Sequence, residues 1–242
     1  MRLLVSVVDA TEARAAASAG ADIVDVKNPA EGSLGAPSPA VIEAVRAAVP
    51  VEVPVSAAIG DMPDLPGTAA LAALGAARSG ASFVKVGLWG VSAEPEAIAL
   101  LRAVREAVDV VPAAVVVAGA YADADRVAHA PLAPELLPEV AQAAGVEVCL
   151  LDTAIKDGSG LLDWLSPEAL TALVDEAHEL GLEMALAGAL GAEDLPVVGA
   201  TGADIVGVRS AACAGGRRTG SLDPARVRAL RAAYAATPRA SR

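Results

Sequence analysis

GADIVDV, residues 20–26, is a short motif that recurs as GASFVKV at residues 80–86 and as GADIVGV at residues 202–208. Each copy follows an Ala-rich segment with helical spacing. Its Gly is the residue type that most readily takes the left-handed conformation at a helix C-terminus. The β-branched and aromatic residues after that Gly favour a strand. The motif therefore predicts one helix-to-strand joint that the chain uses three times.

The same alternation of strand and helix patterns runs through the whole chain. The predicted strands cover residues 3–8, 22–27, 53–59, 82–87, 113–119, 147–153, 183–188 and 204–208. The predicted helices cover residues 11–20, 38–49, 67–80, 95–108, 133–145, 166–181, 192–202 and 223–236.

Eight β/α units in 242 residues match the α/β class, and within it a (β/α)8 TIM barrel better than an open doubly wound sheet. No Gly-rich dinucleotide-binding turn follows the first strand, where SVVDATEAR stands instead. We predict a single barrel domain over residues 1–236 and a disordered C-terminal tail over residues 237–242.

The charge and composition of the chain exclude several classes of partner. A net charge of −12 and a pI near 4.6 argue against nucleic acid and anionic membranes, which both bind clustered positive charge. No segment approaches the roughly 18 uninterrupted apolar residues of a membrane span. A small-molecule partner is the better expectation. The Ala-rich helix faces leave a homo-oligomer open.

The cysteine content indicates a reducing compartment. Cys149 and Cys213 are the only cysteines, and neither has zinc-ligand spacing around it. The N-terminal apolar run is too short for a signal peptide. We therefore expect a cytoplasmic protein with reduced thiols, with no metal site and no cofactor.

Lysine is rare in this chain, and its positions are specific. Only Lys27, Lys85 and Lys156 occur, against fifteen arginines. Lys27 follows Asp25 by two residues in the second predicted strand, so the two side chains point to the same side. Since Val24 and Val26 occupy the alternate positions, Asp25 and Lys27 are predicted to face the barrel interior.

The other two lysines lie at equivalent strand ends. Lys85 ends strand four, and Lys156 follows Asp152 just beyond strand six. Because alternate strands of a barrel contribute side chains to the same interior layer, three amines and two carboxylates are predicted to converge at the catalytic mouth. The alternative for each lysine is a side chain that extends to solvent or pairs with an acid.

Amines that lie close together and are partly desolvated have lowered pKa values. A neutral lysine near pH 7 is the nucleophile that imine formation with a carbonyl substrate requires. Asp25 and Asp152 are then candidates for moving protons or orienting the lysines. A purely structural role, offsetting the positive charge, remains open for them.

A phosphate site is predicted after strands seven and eight, the usual location in this fold. Small residues there let backbone N–H groups approach an anion, and Arg209 could add a charge-assisted contact. The candidate residues are Gly188, Ala189, Arg209, Ser210 and Ala211. Among the remaining groups, His178 is expected to be solvated, His129 is ambiguous and Cys149 is expected in the core.

Four stretches of the chain closely resemble the (5-formylfuran-3-yl)methyl phosphate synthase family of the methanofuran pathway, also called 4-(hydroxymethyl)-2-furancarboxaldehyde-phosphate synthases. They are VDVKNPAEGSLGA (24–36), FVKVGLWGV (83–91), LLDTAIKDG (150–158) and DIVGVRSAAC (204–213). The likeness spans nearly the whole chain in order and spacing. The first and third stretches carry most of its specificity.

This resemblance implies a TIM-barrel lyase that condenses two molecules of glyceraldehyde 3-phosphate into a phosphorylated furan aldehyde. It places the Schiff-base lysine at Lys27, with catalytic support from Lys85, Lys156, Asp25 and Asp152. The chain keeps all five residues. Two alternatives stay open: a class I lysine aldolase acting on another sugar phosphate, and a non-catalytic barrel that binds a phosphometabolite. The furan product could feed methanofuran or another furan metabolite.

Overall fold

Three glycines end helices and lead into strands where the repeated motif predicts it. In a computed structural model of the chain, which describes residues 1–128 and 131–235, φ is +100° at Gly20, +103° at Gly80 and +86° at Gly202. Only glycine takes these values without strain. Each joint lets an outer helix stop and the chain re-enter the sheet.

The strands and helices alternate along the described residues. The strands are β1 (Arg2–Val7), β2 (Ile23–Val26), β3 (Val55–Pro63), β4 (Phe83–Gly90), β5 (Val115–Tyr121), β6 (Val148–Asp152), β7 (Glu183–Leu186) and β8 (Ile205–Val208). The helices are α1 (Ala10–Ser18), α2 (Pro39–Ala48), α3 (Pro66–Arg78), α4 (Glu94–Val108), α5 (Leu137–Ala144), α6 (Pro167–Glu179), α7 (Leu195–Ala200) and α8 (Pro224–Ala235).

The eight strands pair in parallel, in chain order, and β8 closes on β1. The predicted fold class, a single-domain α/β (β/α)8 barrel, is therefore correct. His129, residue 236 and the tail predicted at 237–242 lie outside the described residues.

β3, β4 and α7 differ in length from their sequence prediction. β3 and β4 run beyond residues 59 and 87 and pair as Asp61 with Gly87 and Pro63 with Gly90. A Cβ at Gly87 would lie 2.2 Å from an Asp61 oxygen, so the absence of a side chain at Gly87 permits this close pairing. α7 is shorter than residues 192–202, because Asp194 accepts a hydrogen bond from the Gly191 N–H in a preceding turn.

The apolar residues divide into two layers. One lies between strands and helices and includes the alternate β2 residues Val24 and Val26. The other fills the barrel interior, with Ile23 and Leu150 among its members. Cys149 is fully buried in the outer layer, as predicted.

The prediction for His178 is wrong. Its ring is half-buried on α6, and Nε2 lies 2.8 Å from Asp204 Oδ2. Asp204 also accepts a hydrogen bond from the Met184 N–H. The acidic neighbours in sequence suggested a solvated helix face, whereas the joint before β8 supplies a carboxylate from a distant part of the chain.

Candidate active site

All five predicted catalytic residues line one cavity at the C-terminal end of the barrel. Its volume is about 360 Å³. The alternation of β2 explains the placement: Val24 and Val26 pack outward against helices, so Asp25 and Lys27 face inward. The five residues are Asp25, Lys27, Lys85, Asp152 and Lys156.

Asp25 and Lys85 form a buried ion pair across the interior. Lys85 Nζ lies 2.5 Å from Asp25 Oδ1, and the Ser6 hydroxyl donates a 2.8 Å hydrogen bond to Oδ2. Burial alone would raise the pKa of the Asp25 carboxyl, but the charges of Lys85 and Lys27 and these contacts outweigh it and lower the pKa. Asp25 is therefore an ionised carboxylate inside the barrel.

Lys27 is the buried amine without a close partner. No hydrogen bond or ion pair of its Nζ occurs among the described residues, and only 7% of the residue is exposed. Burial is the main reason that the pKa of Lys27 falls from its ordinary 10.5 to about 8. The positive charges of Lys85 and Lys156 lower it further, whereas the negative charges of Asp152 and Asp25 raise it. Roughly a tenth of the Lys27 amine is therefore neutral at pH 7.

Asp152 and Lys156 form the second ion pair. Lys156 Nζ lies 2.8 Å from Asp152 Oδ1 and 3.0 Å from the Thr153 hydroxyl. Burial favours the neutral Asp152 carboxyl, but Lys156 and Lys27 hold its pKa well below the usual range. The cavity thus contains one unpaired lysine between two lysine–aspartate pairs.

The segment after β2 contacts the end of β6 and the residue that follows it. The Ser33 hydroxyl donates to the Thr153 carbonyl at 2.9 Å and lies 3.5 Å from Asp152 Oδ2. Leu34 is fully buried in the interior layer. Because Gly35 lies against the Asn28 carbonyl, where a Cβ would come within 2.1 Å, this turn requires glycine.

The predicted phosphate residues divide into two groups. Gly188, Ala189 and Ser210 line the main cavity, whereas Ala211 lines a smaller neighbouring pocket that shares Ala189 and Ser210. Gly188 has a φ of +117°, and a Cβ there would lie 3.0 Å from the Thr153 methyl. The small residues therefore leave the backbone close to the cavity.

Arg209 has a different role from the predicted phosphate contact. Its guanidinium binds Glu12, with Nη1 2.5 Å from Oε2 and Nη2 3.3 Å from Oε1. Its remaining N–H groups donate to the carbonyls of Ser6, Arg218 and Gly220. All five donors are occupied, so Arg209 ties the loop after β8 to α1 instead of offering charge to a ligand.

Replacing Glu12 by Gln tests this structural role. The amide cannot accept from Arg209, Val8 and Leu222 as the carboxylate does. We expect a loss of about 2 kcal/mol in the free energy of unfolding, measured by denaturant titration. Glu106→Gln, at an exposed position on α4, is the control and should stay within about 0.5 kcal/mol. Equal effects of the two variants would contradict the role.

Arg209 also lines the cavity, but sequence reasoning missed two further arginines that line it. Arg217, Arg218 and Thr219 lie in the loop after β8 and line it beside Ser210. One Arg218 N–H donates to the Gly32 carbonyl, which joins this loop to the segment after β2. The sequence feature that could have predicted these arginines as cavity residues is the adjacent pair in GGRRTG, residues 215–220, directly after the predicted phosphate loop.

A further acid, the partly buried Asp61, lies near the cavity residues Asp152 and Lys156. The Tyr121 hydroxyl donates to Asp61, and Trp89 packs edge-on against Tyr121 with ring centroids 5.6 Å apart. Burial raises the pKa of the Asp61 carboxyl, and the charge of Asp152 adds to this. Sequence analysis missed this pair because β3 extends past its predicted end.

Residues 1–128 and 131–235 contain no group of three His, Cys, Asp or Glu side chains placed to hold a metal ion. In the same ranges, no helix combines the length and the apolar character needed to cross a membrane.

Comparison with known proteins relates the whole barrel to one family. The family model described as 4-HFC-P synthase matches residues 3–231. The (5-formylfuran-3-yl)methyl phosphate synthase of Methanocaldococcus jannaschii is 50% identical over 233 residues, 96% of this chain and 98% of that protein. The protein of the same name from Methanopyrus kandleri is 50% identical over 236 residues, 97% of this chain and 99% of its own.

Solved structures show the same fold at low identity. 3-Hexulose-6-phosphate synthase from Salmonella typhimurium superposes with a TM-score of 0.67 at 17% identity, covering 97% of this chain and 99% of that one. KGPDC from Streptococcus mutans gives a TM-score of 0.66 at 14% identity, covering 97% of each chain. Since half of the residues match the curated relatives from end to end, the chain belongs to the 4-HFC-P synthase family.

Proposed function

We propose that this chain is a lyase that condenses two molecules of glyceraldehyde 3-phosphate into 4-(hydroxymethyl)-2-furancarboxaldehyde phosphate through a Schiff base on Lys27. The observation that carries the proposal is the Lys27 amine, which is buried and unpaired and has a pKa of about 8. The names of the curated relatives support the product.

The covalent step begins at the aldehyde carbon of one triose phosphate. The Lys27 amine adds to it and water leaves, which gives an imine whose neighbouring carbon is acidified. Loss of that proton gives an enamine. Its electrons either expel the phosphate of the same triose, breaking that C–O bond, or form the new carbon–carbon bond to the aldehyde of the second triose phosphate. Two three-carbon molecules supply the six carbons, and the overall balance releases one phosphate and two waters.

The two ion pairs supply charge and proton acceptors around Lys27. Asp25 and Asp152 are ionised carboxylates on either side of the amine. Each is held by its own lysine, so both are oriented before substrate enters. We assign to Asp25, Asp152, Lys85 and Lys156 the transfer of protons during imine formation and dehydration.

The substrate phosphates bind the loops after β7 and β8. Gly188, Ala189 and Ser210 bring backbone and a hydroxyl to the cavity, and Arg217 and Arg218 add positive charge there. Arginine suits this task because its planar guanidinium can bind a phosphate through two N–H groups. Arg209 is not part of this set, since its donors are occupied.

The pH dependence of imine formation follows from the pKa of Lys27. Only the neutral amine attacks, so the initial rate should rise about tenfold between pH 6 and pH 7 and level off above pH 8. The measurement is quenched-flow borohydride trapping with glyceraldehyde 3-phosphate, with N-acetyl-lysine as the ordinary amine for comparison. A rate that keeps rising tenfold per pH unit to pH 9.5 would contradict the proposed nucleophile.

Product analysis separates this function from its alternatives. Incubation with 13C-labelled glyceraldehyde 3-phosphate should yield one furan aldehyde and one inorganic phosphate for every two molecules consumed. A class I aldolase would instead give a sugar phosphate without phosphate release, and a binding protein would leave the triose unchanged. Whether the furan is used in methanofuran synthesis is tested by deleting the gene and feeding the furan alcohol.

A further inference from the structure

The cavity does not end at the charged layer but continues towards the N-terminal end of the barrel. On four strands an apolar cavity residue lies two positions before a polar one: Leu4 before Ser6, Ile23 before Asp25, Phe83 before Lys85 and Leu150 before Asp152. Successive inward positions of parallel strands form successive layers. An apolar layer therefore lies beneath the lysines, and we call it the floor.

The floor consists of apolar residues from six strands. They are Leu4, Ile23, Phe83, Val148, Ala185 and Ile205. Small residues explain why space remains where barrels are normally packed: β7 contributes only Ala185, and Gly207 on β8, beside Leu4, has no side chain. Leu4 keeps part of its surface accessible although it lies in the interior. Phe83 is also partly accessible; it lines a second pocket as well, and the Arg2 guanidinium lies 5.8 Å from the centroid of its ring.

This floor does not suit the substrates of the proposed function. A triose phosphate carries a polar group on every carbon, and each polar group placed against apolar side chains loses its hydration without a replacement. A furan ring is planar, with apolar carbon–hydrogen edges, and gains from leaving water. The layer thus favours the dehydrated ring over the starting sugars.

One polar group stands at the edge of the floor without a partner. Ser56 is fully buried, lines the cavity and pairs in register with Asp25. Its hydroxyl makes no hydrogen bond within the described residues. Buried hydroxyls are nearly always hydrogen-bonded, so an unpaired one that faces a cavity points to a ligand oxygen.

We propose that the floor is a ring-binding subsite, which holds the furan ring of the product and of its dehydrated precursors while the Ser56 hydroxyl bonds an oxygen on the ring substituent. This inference rests on the proposed function for the origin of the ring. Beyond that function, the subsite binds the furan ring, which forms late in the reaction, by apolar contacts below the lysines. Preferential binding of the dehydrated species favours the final loss of water.

Phe83 provides a direct reporter, because it is the only phenylalanine of the chain. Protein labelled with 13C-phenylalanine should show a single ring spin system. The probe ligand is 3-furanmethanol, which has no aldehyde and therefore cannot form an imine. Titration should shift the Phe83 signals saturably, whereas glycerol, a polar molecule of three carbons, should leave them unchanged.

Ala185→Leu fills the floor and should weaken 3-furanmethanol binding at least tenfold. Ala44→Leu makes the same change on the exposed face of α2 and should bind like wild type. An absence of furan binding to the wild type, or equal binding by Ala185→Leu, would overturn the subsite.

Val148→Ala enlarges the cavity at the floor. This variant tests the ring-binding subsite independently if Ala185→Leu does not fold. It should raise the affinity for 3-benzofuranmethanol at least threefold relative to 3-furanmethanol, and an unchanged ratio would overturn the subsite. The proposed function is tested apart from these titrations: wild-type protein that binds the furan alcohol but forms no imine with glyceraldehyde 3-phosphate would refute the covalent mechanism alone.

Discussion

Lys27→Arg is expected to abolish imine formation and to lower furan production at least about a thousandfold, or roughly 4 kcal/mol of transition-state stabilisation. Arginine keeps the positive charge between Asp25 and Asp152, but its guanidinium stays protonated and cannot form the imine. Steady-state furan release and borohydride trapping together measure the effect. The variant thus separates the charge of residue 27 from its nucleophilicity.

Lys156→Arg is the matched control for this change. Lys156 pairs with Asp152 at 2.8 Å and is partly exposed, so an arginine can keep that ion pair. We expect Lys156→Arg to form the adduct on Lys27 still, although its turnover falls. If Lys27→Arg retains furan production within tenfold of wild type, the covalent mechanism fails and the three lysines become charges that bind phosphate.

Asp25→Asn has the second largest expected effect. It leaves Lys85 buried without its counter-charge and removes a carboxylate from beside Lys27. Removal of one partner from a buried ion pair typically costs about 3 kcal/mol of folding stability. We also expect furan production to fall about a hundredfold, since Asp25 is assigned to proton transfer.

The stability effect of Asp25→Asn depends on pH with a definite sign. The folded state lowers the pKa of Asp25, so the pair stabilises fully above the ordinary carboxyl pKa of 3.8, and this stabilisation is lost as the pH falls from there through the lower folded-state pKa. Denaturant titrations at pH 7 and pH 3 should therefore show the variant closer to wild type at pH 3.

The control for Asp25→Asn is Asp109→Asn, which breaks an exposed pair with Arg105 on α4. Exposed pairs contribute about 0–1 kcal/mol, so this variant should unfold almost like wild type. If Asp25→Asn and Asp109→Asn lower the free energy of unfolding by similar amounts, the buried pair stabilises the fold no more than an exposed pair does. Full furan production by a folded Asp25→Asn would remove Asp25 from the mechanism.

The fold was predictable because two local signals agree along the whole chain. Gly at helix ends and the alternation of strand and helix patterns both locate the β/α units, and parallel closure follows from their number. The inward direction of Asp25 and Lys27 follows from strand alternation alone. The meeting of Lys85 with Asp25 required only that alternate strands share a layer.

Other features depend on contacts between distant residues and carry no local signal. Arg209 stands where a phosphate ligand is expected, but Glu12, 197 positions earlier, occupies its guanidinium. Asp204, from a distant part of the sequence, similarly contacts the His178 ring. Which lysine stays unpaired also could not be predicted, because it depends on side-chain distances of a few ångströms.

The central claim is that Lys27 forms the covalent intermediate. The most direct test is mass spectrometry of the wild-type protein after incubation with glyceraldehyde 3-phosphate and borohydride, followed by peptide mapping. The account predicts one reduced triose adduct, located on Lys27 in the peptide that contains VDVKNP and absent from Lys27→Arg. An adduct on Lys85 or Lys156, or no adduct while furan is produced, would contradict it.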